Sequence, residues 1–176
     1  HKKSVEWIYM TKQKHFYLIR GLIREAHHWG KFTQHLKTQF PHQKITCIDI
    51  PGAGEHCQTV APLSITKMVD KMRLKYQEEQ LPREDSILIA ISLGGMIACA
   101  WMKEHPEDFK EAILINTSFG GLSPFYQRLR PQALFSLLKI FTMNEYAREA
   151  HILKIVTNNP EIFDETLELW NKICEE

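Results

Sequence analysis

Ser92 stands at a point where a serine hydroxyl can become a nucleophile, with small residues two positions before and two positions after it. Residues 86–91 (SILIAI) form an apolar, β-branched run that is typical of a strand buried on both faces. Good helix formers follow without a loop over residues 96–102 and end before Pro106. A strand that runs directly into a helix needs a sharp turn, which holds the side chain at the turn away from the sheet on a strained backbone. The sequence therefore predicts that Ser92 is this turn residue and that its hydroxyl projects into a cleft.

The alternative interpretation is an ordinary serine in a chance match, because serine and glycine are common residues. The small-x-Ser-x-Gly pattern of residues 90–94 is a weak signal by itself. Its place at a strand-to-helix junction is the structural context that a nucleophile elbow requires. The position, more than the motif, favours a catalytic serine.

Length and charge limit the class of protein. The chain has 176 residues, with 22 Lys and Arg against 21 Asp and Glu and a formal net charge of +1. This length is ample for one hydrophobic core and short for two. The charges are interspersed, so neither nucleic acid nor an anionic membrane surface is the expected partner. No apolar run could span a bilayer and the first residues contain no apolar signal core, so we expect a cytoplasmic location.

The cysteines and histidines do not form a metal-binding pattern. Four cysteines make no CxxC pair, and we expect them to pack as small core side chains, at positions 47, 57, 99 and 174. The pairs His27-His28 and His56-Cys57 have no further ligands at the required spacing, so solvated or hydrogen-bonded histidines are the better interpretation. We therefore expect neither a metal nor a cofactor.

The hydrophobic periodicity predicts alternating strands and helices. Strands are predicted at residues 5–11, 15–20, 44–50, 86–91 and 111–116, the first two as antiparallel neighbours. Helices are predicted at residues 28–40 and after Ser92, and a third, capped by Ser64, runs to about residue 80. This third helix is amphipathic, with one apolar stripe that consists of Ile65, Met68, Val69, Met72 and Tyr76. This alternation predicts an α/β fold with a mostly parallel sheet and helices on both faces.

Ligands bind at the carboxyl ends of the strands in such a sheet, where residues 21–22, 51–54 and 92–94 are expected to lie. The segment Gly52-x-Gly54 is not a dinucleotide loop, because Cys57 stands where a third glycine should open the helix. A tight turn is predicted instead. We expect Asp49 to hold it by hydrogen bonds and to take no part in the chemistry.

The pattern changes after Asn116. A loop at residues 119–124 precedes three predicted helices, which begin at Pro131, after Asn144 and at Asn159-Pro160. Many of their side chains are apolar and need a partner surface, among them Phe125, Phe135, Leu138, Phe141, Ile152, Leu167, Trp170 and Ile173. We expect residues 1–117 to form the core and residues 118–176 to form a helical lid. An apolar lid indicates either an apolar substrate or packing against the sheet.

These parts, in this order, resemble the α/β-hydrolase family from the first hairpin to the helical lid. Residues 90–95 (AISLGG) are similar to the nucleophile elbow of that family, and residues 20–22 (RGL) to its oxyanion-loop segment. Residues 49–54 (DIPGAG) are similar to its Asp-x-Pro-Gly-x-Gly turn. The resemblance implies an α/β-hydrolase sheet and a serine hydrolase that acts on a small-molecule ester or related acyl substrate.

The site residues follow from this resemblance. Ser92 is the implied nucleophile, and the backbone N–H groups of Leu22 and Leu93 form the implied oxyanion hole. The N–H of Leu93 would lie at a helix N-terminus, where unsatisfied donors and the helix dipole favour negative charge. Gly21 would let its loop approach the substrate, and Gly94 would leave room for the sharp turn.

The chain departs from the family at two points. Arg20 stands where many members have histidine, and it either anchors the loop by forked hydrogen bonds or meets a carboxylate on the substrate. The acid and the histidine of the triad come after later strands in this family, which we expect this chain to lack. The histidines at positions 27, 28, 56, 105 and 151 do not occupy the expected place. A serine without a base is a poor nucleophile, so we expect slow turnover or none on a small, fairly apolar substrate.

Two other functions stay open. The chain could be a non-catalytic interaction protein derived from a hydrolase, in which unpaired sheet edges drive self-association. The same fold also supports C–C hydrolysis, lyase and acyl-transfer reactions, and fold by itself does not choose among them.

Overall fold

The computed structural model describes residues 14–78, 85–119, 122, 124, 131–140 and 142–175. Four strands form one sheet in the order β2-β1-β3-β4. Their bounds are His15–Ile19 for β1, Lys44–Ile48 for β2, Ser86–Ile91 for β3 and Glu111–Ile115 for β4. Every pairing between them is parallel, which confirms the predicted α/β sheet.

Strand β1 lies between two parallel neighbours, so the prediction of an antiparallel neighbour for it is wrong. Tyr17 at its centre pairs with Thr46 of β2 on one side and with Leu88 of β3 on the other. Both edges of β1 are therefore occupied along its whole length. The predicted strand at residues 5–11 lies outside the described residues.

One helix follows each of the first three strands: α1 (Lys31–Gln39), α2 (Ile65–Glu78) and α3 (Leu93–Glu104). The helix predicted at residues 28–40 is divided into a 3-10 turn at Ala26–Trp29 and α1. Gly30 separates the two, because its backbone adopts φ 49° and ψ −131°, a conformation that glycine reaches without a steric penalty.

The core lies on both faces of the sheet, because side chains alternate along each strand. On one face, Tyr17, Ile19 and Leu88 pack with the buried residues of α2 and α3, which include Val69, Met72, Tyr76, Ile97 and Trp101. On the other face the buried cluster is Phe16, Leu18, Trp29, Ile87 and Ile89. The apolar stripe predicted for α2 is confirmed.

Strand β4 is the exception to this burial. Its neighbouring residues Ile113 and Leu114 are 51% and 39% exposed. Because adjacent side chains of a strand point to opposite faces, both faces of this edge strand are open to solvent. Parallel strands are normally covered on both faces, so β4 has the composition of an interior strand at the edge of the sheet.

The chain divides into two compact units, His1–Phe119 and Gly120–Glu176. The second contains helices α4 (Pro131–Ile140), α5 (Glu145–Val156) and α6 (Phe163–Glu175). The helix start predicted after Asn144 is confirmed, since Asn144 Oδ1 accepts from the N–H of Ala147 (2.9 Å). The helix predicted to start at Asn159-Pro160 begins later, at Phe163, and Asn159 Oδ1 accepts from the N–H of Glu161 (3.0 Å). A 3-10 turn at Pro160–Ile162 precedes α6.

Leu153, Leu167 and Trp170 form the buried cluster of this second unit, whereas Phe135 and Leu138 are exposed. Phe125, Phe141 and the side chain of Ile173 lie outside the described residues, as do residues 120, 121 and 123 of the predicted loop. In neither unit does a described helix have the length and the apolar character needed to cross a membrane.

Candidate active site

Ser92 occupies the junction between β3 and α3, as the sequence predicts. It follows Ile91, the last residue of the strand, and precedes Leu93, the first residue of the helix. Its backbone adopts φ 56° and ψ −120°, and its side chain is exposed. A positive φ is uncommon outside glycine, so the turn holds Ser92 in a strained conformation that the surrounding contacts must maintain.

Those contacts come from the end of β4. The N–H of Ser92 donates to the carbonyl oxygen of Ile115 (3.0 Å), and the Thr117 hydroxyl donates to the carbonyl oxygen of Ser92 (2.7 Å). The same carbonyl accepts from the N–H of Gly95 (3.0 Å). The backbone of the turn is thus fixed while the hydroxyl is left out of these bonds. Sequence reasoning missed Thr117, whose only signal was its place two residues beyond β4.

Gly94 and Gly95, which follow Ser92, lie where a side chain would collide with neighbouring atoms. A Cβ at Gly94 would lie 2.5 Å from the carbonyl oxygen of Arg20 and 2.7 Å from that of Ile19. A Cβ at Gly95 would lie 2.7 Å from side-chain atoms of Thr117. The first turn of α3 therefore lies directly against the end of β1, which only glycine at position 94 permits.

The segment after β1 lies beside Ser92. A Cβ at Gly21 would be 3.0 Å from Ser92 Cβ and 3.5 Å from Ser92 Oγ. Leu22 is 63% exposed, and Ile23, which follows it, has a φ of 58°. The structure thus brings together the two segments that the sequence predicts to form one site, although they are about 70 residues apart in the chain.

The backbone next to Ser92 favours negative charge. Leu93 is the first residue of α3, and the first N–H groups of a helix have no partner within the helix. The helix dipole adds a partial positive charge at the same end. An oxyanion formed beside Ser92 would therefore meet fixed dipoles of the favourable sign.

Among the residues that the structure describes, Arg20 makes no forked hydrogen bonds. Its Cζ lies 5.0 Å from the centre of the Trp29 ring, and its buried Nε has no hydrogen-bond partner in the described part of the chain. Burial and the charge of Arg24 lower the pKa of the Arg20 guanidinium to about 10. Stacking on Trp29 is what holds this side chain.

Asp49 has the structural role that the sequence predicts. Its buried carboxylate accepts from the N–H of Ala26 (2.6 Å) and from the N–H of Glu55 (3.3 Å). A Cβ at Gly54 would lie 2.1 Å from Asp49 Oδ2, and Gly54 has a φ of 50°. Asp49 therefore connects the turn after β2 to the segment that follows the oxyanion loop.

No histidine activates Ser92 within the described ranges, where Ser92 Oγ has no hydrogen-bond partner. His27 pairs with Glu25 (3.0 Å), His28 lies 3.2 Å from Arg24, and His105 lies 3.5 Å from Glu107. Burial, and then the charges of Arg24, Arg20 and His27, lower the pKa of His28 to about 3. His56 is half-buried in the turn after β2, and His151 belongs to the second unit.

The cysteine prediction is correct at one position and wrong at another. Cys47 is half-buried and packs against the apolar cluster that contains Trp29. Cys99 is also half-buried, whereas Cys57 is exposed and does not pack in a core. The side chain of Cys174 lies outside the described residues.

One cluster of side chains in the described ranges has the geometry to hold a cation. Ligand atoms of Asp70, Glu104 and His105 lie within 4.8 Å of one another, and both acids are exposed. Glu104 already accepts a hydrogen bond from Thr66 (2.8 Å). The sequence did not indicate this cluster, because its members come from different helices, and its exposure is typical of solvated acidic groups.

Comparison with known proteins extends these observations. The sequence model of the alpha/beta hydrolase fold matches residues 14–150. Methyl jasmonate esterase 1 of Vitis vinifera is 27% identical over 122 residues, which cover 67% of this chain and 46% of the esterase. The chain thus spans about half the length of this relative.

Solved structures show the same fold. A putative lipase of Acinetobacter baumannii AYE is 18% identical to this chain and superposes with a TM-score of 0.63. The match covers 94% of this chain and 55% of the lipase chain. For Cfl2 of Burkholderia cenocepacia the identity is 16% and the TM-score 0.68, with 91% of this chain and 57% of that one covered. A thioesterase domain from curacin biosynthesis is 18% identical, with a TM-score of 0.60 and coverages of 91% and 59%.

Proposed function

The chain belongs to the alpha/beta hydrolase fold family, and from this premise we propose that it forms the nucleophile-bearing part of a serine hydrolase. The proposed reaction is cleavage of an ester or related acyl bond of a small, fairly apolar substrate. The relatives that support this class are an esterase, a lipase and a thioesterase by their descriptions. Residues 118–176 are proposed to act as a lid.

In the proposed mechanism, Ser92 Oγ attacks the carbonyl carbon of the substrate. The carbonyl oxygen becomes an oxyanion and accepts hydrogen bonds from the backbone N–H groups of Leu22 and Leu93. Loss of one such donor typically raises a barrier by about 3 kcal/mol. The alcohol or thiol then leaves with a proton, and water hydrolyses the acyl-serine in a second addition.

The proton of Ser92 needs an acceptor, which we place in polypeptide outside this chain. In the described residues no side chain is hydrogen-bonded to Ser92 Oγ. The relative of known activity is about twice as long as the segment it shares with this chain. We therefore expect the histidine and its acid partner to come from a further segment, and we expect this chain alone to turn over slowly or not at all.

One observation carries the proposal: the exposed Ser92 has a φ of 56° at a strand-to-helix junction, with Gly21 packed against it. A structural serine has no need of this strained backbone, because a serine in a regular helix or strand would serve as well. Strain of this kind persists where the surrounding structure maintains it, and it clusters at functional sites.

A fluorophosphonate probe tests the nucleophile. We expect slow, stoichiometric labelling of the chain at Ser92, loss of labelling in Ser92→Ala, and unchanged labelling in Ser118→Ala, a nearby matched control. Labelling that survives Ser92→Ala would overturn the assignment. Rapid Ser92-dependent turnover of a p-nitrophenyl ester by this chain would instead overturn the proposal that the base lies elsewhere.

A second candidate function is a non-catalytic interaction module, which the exposed Ile113 and Leu114 of β4 favour. Such an edge can associate with a second copy of the chain. Sedimentation tests this: we expect concentration-dependent association that is lost in Ile113→Lys/Leu114→Lys, and a clean monomer at high concentration would contradict it. Nothing in the described residues favours C–C hydrolysis, lyase or acyl-transfer chemistry over ester cleavage.

A further inference from the structure

Thr117 contacts the peptide unit that joins Ser92 to Leu93. Its hydroxyl donates to the carbonyl oxygen of Ser92 (2.7 Å), which also accepts from the N–H of Gly95 (3.0 Å). A carbonyl oxygen has two lone pairs, so these two donors use both of them. The direction of this carbonyl group is therefore set by two hydrogen bonds, one from α3 and one from the segment after β4.

The carbonyl group of Ser92 and the N–H group of Leu93 belong to the same peptide unit. No peptide bond of the described residues is cis, so this unit is planar and trans, and its N–H points away from its carbonyl oxygen. Fixing the direction of the carbonyl thus fixes the direction of the N–H. In the proposed mechanism this N–H is one of the two donors to the oxyanion, and such donors act because they are oriented before the reaction.

The hydrogen bonds at the carbonyl also make the Leu93 N–H a stronger donor. Donation to a peptide oxygen draws electron density from the nitrogen, because the C–N bond has partial double-bond character. Hydrogen bonds connected in this way polarise one another, by roughly 10–30% per bond. In the proposed mechanism the connected bonds run from Thr117 Oγ1 through the Ser92–Leu93 peptide to the oxyanion. Charge that develops there would meet a donor that is already polarised.

The position of the Thr117 side chain is itself fixed by its surroundings. A Cβ at Gly95 would lie 2.7 Å from both Cβ and Oγ1 of Thr117, so this side chain lies directly against the backbone of α3. Asn116, which precedes it, has a φ of 46°, a left-handed conformation that asparagine adopts more readily than most residues. Ile115, the last residue of β4, accepts from the N–H of Ser92 (3.0 Å). The segment after β4 thus presents the hydroxyl to the Ser92 carbonyl in a defined geometry.

We propose that Thr117 is a positioning residue of the active site, and that its hydroxyl orients and polarises the Leu93 N–H for the oxyanion. The inference rests on the proposed function, in which Ser92 is the nucleophile. Thr117 does not contact the reacting atoms; it acts through the peptide between Ser92 and Leu93. Its loss should therefore slow the step in which charge develops and leave the binding of substrate or probe unchanged.

The kinetics of fluorophosphonate labelling test this role, because charge develops on the phosphoryl oxygen as Ser92 attacks. Thr117→Val keeps the branched shape of the side chain and removes the donor. We expect its labelling rate at saturating probe to fall about tenfold, less than the roughly 10²–10³-fold loss caused by removing a whole oxyanion-hole donor, with an unchanged half-saturating concentration. Thr117→Ser keeps the hydroxyl and should label at nearly the rate of the wild type.

The matched control is Thr38→Val on the exposed side of α1. It removes a hydrogen bond of the same kind, from the Thr38 hydroxyl to the carbonyl oxygen of Gln34 (2.9 Å), and should leave labelling unchanged. Thr117→Ala takes the place of Thr117→Val should the latter fail to fold. Equal labelling rates of the wild type and Thr117→Val would overturn the inference. Equal slowing in Thr117→Val and Thr117→Ser would also overturn it, since that result indicates lost packing and not a lost donor.

Nuclear magnetic resonance of the free chain gives a second measurement that does not depend on the reaction. We expect the carbonyl-carbon signal of Ser92 and the amide-nitrogen signal of Leu93 to move upfield in Thr117→Val and to remain near their wild-type positions in Thr117→Ser. Unchanged signals in Thr117→Val would overturn the inference and leave Ser92 as the proposed nucleophile. Labelling that survives Ser92→Ala would instead overturn the proposed function, and the inference with it.

Discussion

A Cβ on Gly94 would lie 2.5 Å from the carbonyl oxygen of Arg20, so the first turn of α3 rests directly on the end of β1. The same contact region includes Gly21, which lies against Ser92. The turn that holds the serine and the loop proposed to hold the oxyanion are therefore fixed to each other by backbone contacts. A substitution at either glycine should disturb both.

Gly94→Ala should lower the free energy of unfolding by about 2 kcal/mol, since overpacking against rigid backbone typically costs 1–3 kcal/mol. Lys103→Ala, at an exposed position of the same helix, is the matched control and should change stability by less than about 0.5 kcal/mol. Urea unfolding followed by tryptophan fluorescence measures both. An equally small loss in the two variants would contradict this account of the contact.

Ile23→Gly should stabilise the chain by up to about 1 kcal/mol. Ile23 has a φ of 58°, which is rare for a β-branched residue and stores strain of about 1–3 kcal/mol. Glycine removes that strain, although its greater freedom in the unfolded chain offsets part of the gain. Thermal unfolding gives the comparison, with Ile23→Val as the control that keeps the branched side chain. A lower midpoint for Ile23→Gly than for the wild type would show that the loop is not strained.

Asp49→Ala should destabilise the chain by about 3 kcal/mol, because two backbone N–H groups would lose their charged acceptor. The substitution should also loosen the turn at Gly54 and the segment beginning at Ala26. Asp70→Ala, on the exposed side of α2, should change stability by less than about 0.5 kcal/mol. Urea titration gives the free energy of unfolding of both variants. A similarly small loss of stability in the two would rule out the proposed role of Asp49 in connecting the two segments.

Asp108 should make stability depend on acid pH. Burial raises the pKa of its carboxyl group, but the hydrogen bonds from Arg73 (2.6 and 3.0 Å) and Trp101 (2.8 Å) outweigh burial, and the pKa is lowered. The unfolded chain, with an Asp pKa of about 3.9, then takes up the proton first as the pH falls. The stabilisation of the folded chain by ionised Asp108 is therefore present at neutral pH and is lost as the pH falls below about 4.

Urea midpoints between pH 7 and pH 3 measure the effect. Asp108→Asn should be less stable than the wild type at pH 7, and the difference should shrink as the pH falls below about 4. The exposed Glu111→Gln is the control and should follow the wild type throughout. A constant gap between Asp108→Asn and the wild type across this range would contradict the prediction.

His15 and His28 should make the stability of the chain depend on pH in a higher range than Asp108 does. Burial, and then the charge of Lys44, lower the pKa of His15 to about 4, and that of His28 is lowered to about 3. In the unfolded chain both titrate near 6.5. Between pH 6.5 and about 4 the unfolded state therefore binds more protons, so stability should fall as the pH drops through this window.

The double variant His15→Gln/His28→Gln removes these titrations while keeping polar side chains at both positions. We expect its stability to change less between pH 6.5 and pH 4.5 than that of the wild type. His35→Gln, on the exposed side of α1, should leave the slope unchanged. Unfolding midpoints at four pH values within the window suffice, and parallel curves for the wild type and the double variant would refute the assignment.

Much of the fold could be predicted from local pattern. The run at Ser86–Ile91 and the stripe on α2 were found where periodicity indicated them, because burial on one face or on both imposes a repeat on the residues themselves. The helix start after Asn144 was predicted for the same local reason, because a capping side chain acts on backbone N–H groups a few residues away. Prediction failed at Gly30, whose positive φ divides a helix, and at β1, since strand neighbours depend on contacts between distant segments.

The amino-acid sequence by itself determined the order of strands and helices and the place of Ser92 between one strand and one helix, because these depend on neighbouring residues. Only the tertiary structure decided that Gly21 lies against Ser92, that Thr117 holds the turn, and that Arg20 stacks on Trp29. Such relationships join residues 9 to about 70 positions apart. They follow from how strands pair and pack, which no local pattern of residue types records.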